Sequence, residues 1–239
     1  MSKAKRAYYD EFYANKDVRK SSLPKLTALS HQLQRFALPA NQLIFELLSP
    51  GDRLLDLGCG DGDFALLAKN KFKEVFGVDI SPIAIQKANG KIANRLDKDH
   101  FHFLVCDVDE GLPFNHSFFD AVTCIALLEH VIHPPSLLKE IRRILRKGGE
   151  LVILVPNDAW LVYRLQSLVG KIPQSGGVDK IGVDWGHLHK FNGEIARNLL
   201  LSNGFKVTNV CCSGVFAKLR SLWLSLLASD IIIKAIVTK

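Results

Sequence analysis

The stretch that decides the fold is Leu54-Leu-Asp-Leu-Gly-Cys-Gly-Asp-Gly-Asp-Phe-Ala65, an apolar run that passes through glycines at 58, 60 and 62 into a helical pattern. A turn this tight between strand and helix needs residues without a Cβ, both to reach unusual backbone angles and to let a ligand lie against the main chain. A dinucleotide-binding turn has its third glycine where this chain carries Asp63, and it rarely has an acid where Asp56 stands. The stretch therefore predicts a strand, a ligand-binding turn of a non-dinucleotide type, and a helix.

Outward from this turn, short apolar runs alternate with longer helical patterns. Arg53–Leu57, Glu74–Val78, Phe101–Cys106, Phe118–Cys124 and Glu150–Val155 read as five strands, most of them apolar on both faces as buried parallel strands must be. Between them, Ser81-Pro82 is an N-cap followed by proline, opening a helix to about Leu96. From Pro135 to Lys147 an apolar stripe (Leu137, Leu138, Ile141, Ile144, Leu145) lies opposite a charged face, with Gly148-Gly149 as the expected C-cap. Further on, Ala159–Val169 and Asn192–Asn203 read as helices, Lys171–Lys190 as a loop, and Phe205–Cys212 and Asp230–Thr238 as two more strands. Seven strands interleaved with helices predict an α/β fold, a doubly wound and mostly parallel seven-stranded sheet with helices on both faces.

A chain of 239 residues, 48% hydrophobic and 23% charged, has the composition of one folded globular domain rather than a disordered segment. Its five cysteines (59, 106, 124, 211 and 212) include no CxxC pair, and no apolar stretch follows the basic N-terminus as a signal peptide would require. Reduced thiols and a cytoplasmic location are the expectation. The charge of +7 is uneven: residues 1–35 carry eight Lys/Arg against three acids, and residues 204–239 carry five against one. Val215–Ala228 reads as an amphipathic helix that packs on the domain. Its Trp223 and basic flank leave peripheral membrane contact as an alternative, since no run approaches the roughly 18 apolar residues of a membrane span.

Asp56-Leu-Gly-Cys-Gly-Asp-Gly62 resembles motif I of the class I S-adenosylmethionine-dependent methyltransferases. Further matches stand at that family's spacing: Asp79 ends the second strand, Cys106-Asp107-Val108 the third, and Leu112-Pro113-Phe114 follows. Phe119-Asp120 opens the fourth strand, Leu128-Glu129-His130-Val131 comes after it, and Leu145-Arg-Lys-Gly-Gly149 leads into the fifth. The resemblance is close over residues 50–157 and looser from Tyr8 to the C-terminus. It implies a Rossmann-like methyltransferase domain over 37–239, a helical lid over 1–36 and a substrate-side insert at about 158–191.

The resemblance also implies roles. Gly58, Cys59 and Gly60 line the aminoacyl end of S-adenosylmethionine, Asp79 the ribose, and Asp107 and Val108 the adenine, with Asp56 and Ile80 also at the cofactor; S-adenosylhomocysteine is the product. The plain alternative for each acid is a helix cap or surface turn, and for Asp107 taken alone it is the better reading; together, at successive strand ends, the acids favour binding. The sulfonium is already an activated donor, so the enzyme's task is to hold an acceptor atom about 3 Å from the methyl carbon, in line with the sulfur. A base is needed only when the acceptor must lose a proton.

The candidate bases are Glu129, His130, His133, His187 and His189, with Glu129 and His130 favoured as catalytic and the other histidines assigned to substrate. A structural hydrogen bond is the competing role for His130. Trp185-Gly-His-Leu-His-Lys-Phe191 is similar to a segment seen before the sixth helix in many relatives. His187-x-His189 near Asp184 shows no third ligand of convincing spacing, so no metal is expected. Ala7-Tyr-Tyr-Asp-Glu-Phe-Tyr13 resembles the lid, in which either Tyr8 or Tyr9 closes over the cofactor or the aromatic face packs on the domain; Tyr9 is also assigned to substrate. The expected function is methyl transfer to an O or N atom of a small or medium-sized metabolite. The alternatives are a lipid-linked or glycan acceptor at a membrane surface and a non-catalytic cofactor-binding module. No Asn-Pro-Pro-Tyr type of motif follows the fourth strand, so no nucleic-acid partner is expected. The sequence carries no signal for an oligomeric state.

Overall fold

The computed structural model describes residues 2–15, 37–170, 187–215 and 217–238. Helix α1 (Ser2–Ala14) comes first, and strand β1 (Ala37–Leu38) and helix α2 (Ala40–Leu47) lead into the domain. Then β2 (Gly51–Leu57), α3 (Asp63–Ala68), β3 (Phe72–Asp79), α4 (Pro82–Ile92), β4 (Phe101–Val105), β5 (Phe119–Ile125), α5 (Pro134–Ile144) and β6 (Leu145–Pro156) alternate along the chain. After them come α6 (Leu161–Leu168), α7 (Gly193–Ser202), β7 (Phe205–Cys211), β8 (Gly214–Val215), α8 (Ala217–Arg220), α9 (Leu224–Leu227) and β9 (Asp230–Val237).

Seven strands form one sheet in the order β4-β3-β2-β5-β6-β9-β7, and β1 pairs with β8 apart from it. Strands β2 to β6 are parallel, and β9 runs antiparallel to both β6 and β7. Because successive side chains of a strand point to opposite faces, neighbouring residues feed two cores. Leu55, Leu57, Val122 and Ile153 join the side chains of α5 and α7 on one face. Leu54, Ala121, Val152 and Leu154 join those of α2 and α3 on the other. This is the doubly wound sheet that the alternation predicts. All seven large strands fall where the sequence places them, with ends moved by a few residues.

Three local expectations differ. Helix α5 stops at Ile144 rather than Lys147, because Leu145 turns extended and pairs with Phe119. Gly148, at φ 72°, then sits in an irregularity within β6 and does not cap the helix. The 215–228 segment is not one amphipathic helix: α8 and α9 are separated by a 3-10 turn at Ser221–Trp223. The residues 16–36 of the expected lid, and Asp184, Trp185 and most of the 171–190 loop, lie outside the described residues. Among the described residues no helix is long and apolar enough to cross a membrane, and all five cysteines are free.

The strand order reverses between β2 and β5, which opens a crevice at the carboxyl ends of the strands. Asn157, buried just past β6, closes the far side of that end. Its Nδ2 donates to the carbonyls of Ala228 (2.7 Å) and Leu224 (3.1 Å), and its Oδ1 accepts from Ala159 N–H (3.2 Å). Asn157→Ala leaves buried polar groups unmatched and is expected to lower the unfolding free energy by about 1–3 kcal/mol. Urea titration checks this, and a loss below about 0.5 kcal/mol would show that the anchor is redundant.

Candidate active site

The glycine turn after β2 is held by the neighbouring strand: the N–H groups of Gly58 and Cys59 both donate to the Val78 carbonyl, at 2.8 and 3.0 Å. Gly58 and Gly60 have φ of 70° and 55°, a region that costs other residues strain. A Cβ on Gly60 would stand 2.7 Å from the Tyr13 hydroxyl. Chain conformation and space both require glycine there.

Asp79 ends β3 with its side chain turned back over this turn. It is only 6% exposed. One carboxylate oxygen accepts the Gly60 N–H at 3.0 Å and the other accepts the Ser81 N–H at 2.9 Å. Burial raises its pKa and these N–H groups oppose the rise. The Ser81 hydroxyl caps α4 through Ala84 N–H and bonds Asp10 of α1.

A cleft opens beside Asp79. Gly58, Asp79, Ile80, Asp107 and Val108 line one side and Ala126, Leu127 and His130 the other; Lys5, Tyr9 and Tyr13 of α1 cover it. Asp107 caps a 3-10 turn by accepting the Asp109 N–H at 3.1 Å, so the cap and the position at the cleft coexist. Helix α1 is tied down by Lys5 on Asp109 (2.8 Å) and by Lys87 on the Tyr13 carbonyl (2.8 Å). Burial raises the pKa of the Tyr9 and Tyr13 hydroxyls, which therefore stay protonated. A second recess beyond Tyr13 is bounded by Asp56, Gly58, Cys59, Gly60 and Asp61. The parallel register sets Asp56 opposite Thr123, whose hydroxyl donates to it at 2.7 Å.

Across the cleft, Leu128–His130 forms a 3-10 turn after Ala126, a non-glycine residue at φ 50°. Such a backbone persists only where surrounding structure imposes it. Glu129 is 1% exposed, its Oε2 has no hydrogen-bond partner among the described residues, and burial raises its pKa to about 7. The His130 ring meets Tyr9 edge-on at 5.9 Å between centroids and His187 at 4.8 Å.

Of the residues singled out from sequence, Asp56, Gly58, Cys59, Gly60, Asp79, Ile80, Asp107 and Val108 gather at the strand ends. Tyr9, Glu129, His130 and His187 gather opposite them. His133 and His189 do not join. His133 is exposed at the start of α5, and the His189 ring bonds the Val131 carbonyl at 2.9 Å. Tyr8 packs edge-on against Tyr9 and is not on the cleft. Sequence reading missed Lys5 and Tyr13, although they flank Tyr9 at helical i±4 spacing, the signal that would have found them. Ala126 and Leu127 carried no such signal.

Comparison with known proteins places this geometry. A family model described as a methyltransferase domain matches residues 29–210. The chain belongs to that methyltransferase family, whose cofactor is S-adenosylmethionine. It is 34% identical over 119 residues to 27-O-demethylrifamycin SV methyltransferase of Amycolatopsis mediterranei, covering 48% of this chain and 43% of that protein. Ubiquinone biosynthesis O-methyltransferase of Alkalilimnicola ehrlichii is 33% identical over 108 residues, 45% of this chain and 42% of that one. The matches thus span less than half the length of these relatives. Magnesium protoporphyrin IX methyltransferase from Synechocystis PCC 6803, solved with SAH bound, superposes with a TM-score of 0.67 at 15% identity, over 98% of both chains. At that identity the likeness is one of fold.

Asp56 offers a test by pH. Burial, helped by the nearby Asp79 carboxylate and opposed by the Thr123 hydroxyl, raises its pKa to about 7. The unfolded chain releases this proton near pH 4, so between about pH 4 and 7 the folded state holds more protons and this group lowers stability as pH rises. Asp56→Asn keeps an oxygen for Thr123 and carries no such proton. Its stability relative to the parent is expected to rise across that window in urea midpoints; a pH-independent difference would refute the assignment.

Proposed function

We propose that this chain transfers a methyl group from S-adenosylmethionine to an oxygen or nitrogen atom of a small or medium-sized metabolite. The observation that carries the reading is Asp79, a buried carboxylate at a strand end, facing the same cleft as a glycine turn in the left-handed backbone region. A carboxylate has about four lone-pair sites. Two take the Gly60 and Ser81 N–H groups, and the remainder suit the two ribose hydroxyls. Gly58, Cys59 and Gly60 admit the aminoacyl end to the main chain, with Asp56 behind them, and Ile80, Asp107 and Val108 suit the adenine. Tyr9 and Tyr13 of α1 exclude water from above. When bound, S-adenosylmethionine supplies a methyl whose bond to sulfur breaks as the bond to the acceptor forms, the electron pair leaving with S-adenosylhomocysteine and the acceptor's proton being released. Glu129, His130 and His187 stand on the acceptor side, where they orient the acceptor.

A second reading, a lipid-linked acceptor at a membrane surface, is favoured by the exposure of Leu222 (81%) and Trp223 (60%). Co-sedimentation with anionic liposomes tests it: sedimentation of the parent, lost in Trp223→Ser, supports it, and a protein that stays in the supernatant excludes it.

Calorimetry is expected to show S-adenosylmethionine and S-adenosylhomocysteine binding and no binding of NAD. Asp79→Ala is expected to weaken the cofactor by about 2–3 kcal/mol, as two hydroxyls lose a charged acceptor. An unchanged dissociation constant in a folded variant would remove Asp79 from the site. Transfer of tritiated methyl groups across a metabolite library tests turnover, and binding without transfer to any acceptor would favour a non-catalytic role.

A further inference from the structure

The geometry points to a divalent transition-metal site formed by Glu129, His130 and His187 at the acceptor end of the cleft, where the ion binds the acceptor's hydroxyl oxygen. One carboxylate oxygen and one ring nitrogen from each histidine lie within 4.8 Å of one another. Sequence spacing had paired His187 with His189, which in the fold points away to Val131. The other two ligands, Glu129 and His130, come instead from one turn 58 and 57 residues earlier in the chain.

Three observations make this a built site. Glu129 is almost completely buried, yet its Oε2 has no hydrogen-bond partner among the described residues. A desolvated carboxylate oxygen without a donor is costly, and a cation is what offsets such a cost. Next, the segment carrying His187 is strapped to the turn carrying the other two. The N–H groups of Leu188 and His189 donate to the Glu129 carbonyl at 2.7 and 3.2 Å, and the His189 ring holds Val131. Downstream, Asp158 and Phe191 exchange two backbone-anchored bonds, at 2.8 and 2.9 Å. Metal ligands are held by supporting bonds of this kind. Finally, His130 also lines the cleft that Asp79 faces, so the trio adjoins the site of methyl transfer.

The donor set selects the ion. Two imidazoles and one carboxylate suit zinc and its first-row neighbours, whereas magnesium and calcium prefer oxygen. Three protein ligands leave a fourth position open, the arrangement of catalytic zinc sites. Around a tetrahedral zinc the ligand atoms stand about 3.4 Å apart, so side-chain rotation has to draw these three slightly closer. The ion lowers the pKa of the hydroxyl it binds and the proton leaves to water, so the oxygen reaches the methyl carbon with its electron pair available. The acceptor is thereby narrowed to a hydroxyl compound. The acceptor part of this inference rests on the methyl-transfer reading; metal binding does not.

The test uses the full chain, stripped with EDTA and dialysed. Calorimetry with zinc, and visible absorption with cobalt(II), are expected to show one ion per chain, with cobalt giving the intense bands of a low-symmetry nitrogen and oxygen site. His187→Ala and the near-isosteric Glu129→Gln are expected to weaken zinc beyond the roughly 10- to 100-fold that loss of a supporting group costs, and His189→Ala to fall within that range. Circular dichroism and S-adenosylhomocysteine binding, measured on the same samples, report folding and the cofactor site independently. Unchanged zinc affinity in both folded ligand variants, or no zinc binding by the parent while it binds S-adenosylhomocysteine, overturns the metal site and leaves the methyltransferase reading intact. Zinc binding lost in the variants, with no S-adenosylhomocysteine bound by the parent, keeps the metal site and overturns that reading instead.

Discussion

The buried carboxylate of Asp79 is the contact on which the site's geometry depends. By accepting one N–H from the glycine turn and one from the start of α4, it joins β2, β3 and α4 at the carboxyl edge of the sheet. Hydrogen bonds from N–H groups to a charged acceptor are short and strong, and burial keeps water from competing for them. Ser81, the next link, bonds Asp10, so the same junction also fixes α1 and the tyrosines that roof the cleft. Removing the carboxylate would loosen floor, wall and roof together.

Around this junction lie two more buried acids, Asp56 and Glu129, and burial raises the pKa of all three. Neutral groups hydrogen-bond to two of them: the Gly60 and Ser81 N–H groups to Asp79, and the Thr123 hydroxyl to Asp56. Holding such groups in a low-dielectric cleft costs stability, and sites that do so are set up for a cationic or hydrogen-rich ligand. Along the proposed cofactor the demand is met by an ammonium group, a sulfonium and two ribose hydroxyls. At Glu129 the proposed metal ion would meet it. One electrostatic rule thus accounts for both ends of the cleft.

The fold was legible in the sequence because its signals are local. A strand running into glycines, an N-cap serine before proline and an apolar stripe at helical spacing each encode an element without help from distant residues. The errors were also of one kind. Helix α5 ended early because Leu145 found a strand partner in Phe119, and the 215–228 helix broke because α8 and α9 meet the rest of the fold separately, Asn157 bonding α9 and the loop after it. Tertiary pairing overrode local preference at both places.

For the site, sequence alone determined which residues stand at the ends of successive strands: Asp56, Asp79, Asp107 and the Glu129-His130 turn, since strand order and loop length suffice to place them. Only the tertiary structure decided which histidine joins them. His187 and His189 are two residues apart and chemically identical, and nothing local distinguishes them. The distinction arises where Leu188 and His189 bond the Glu129 carbonyl and the His189 ring turns to Val131, leaving His187 beside His130. Those are contacts between segments some 57 residues apart, and contacts between distant segments are what a linear pattern does not encode.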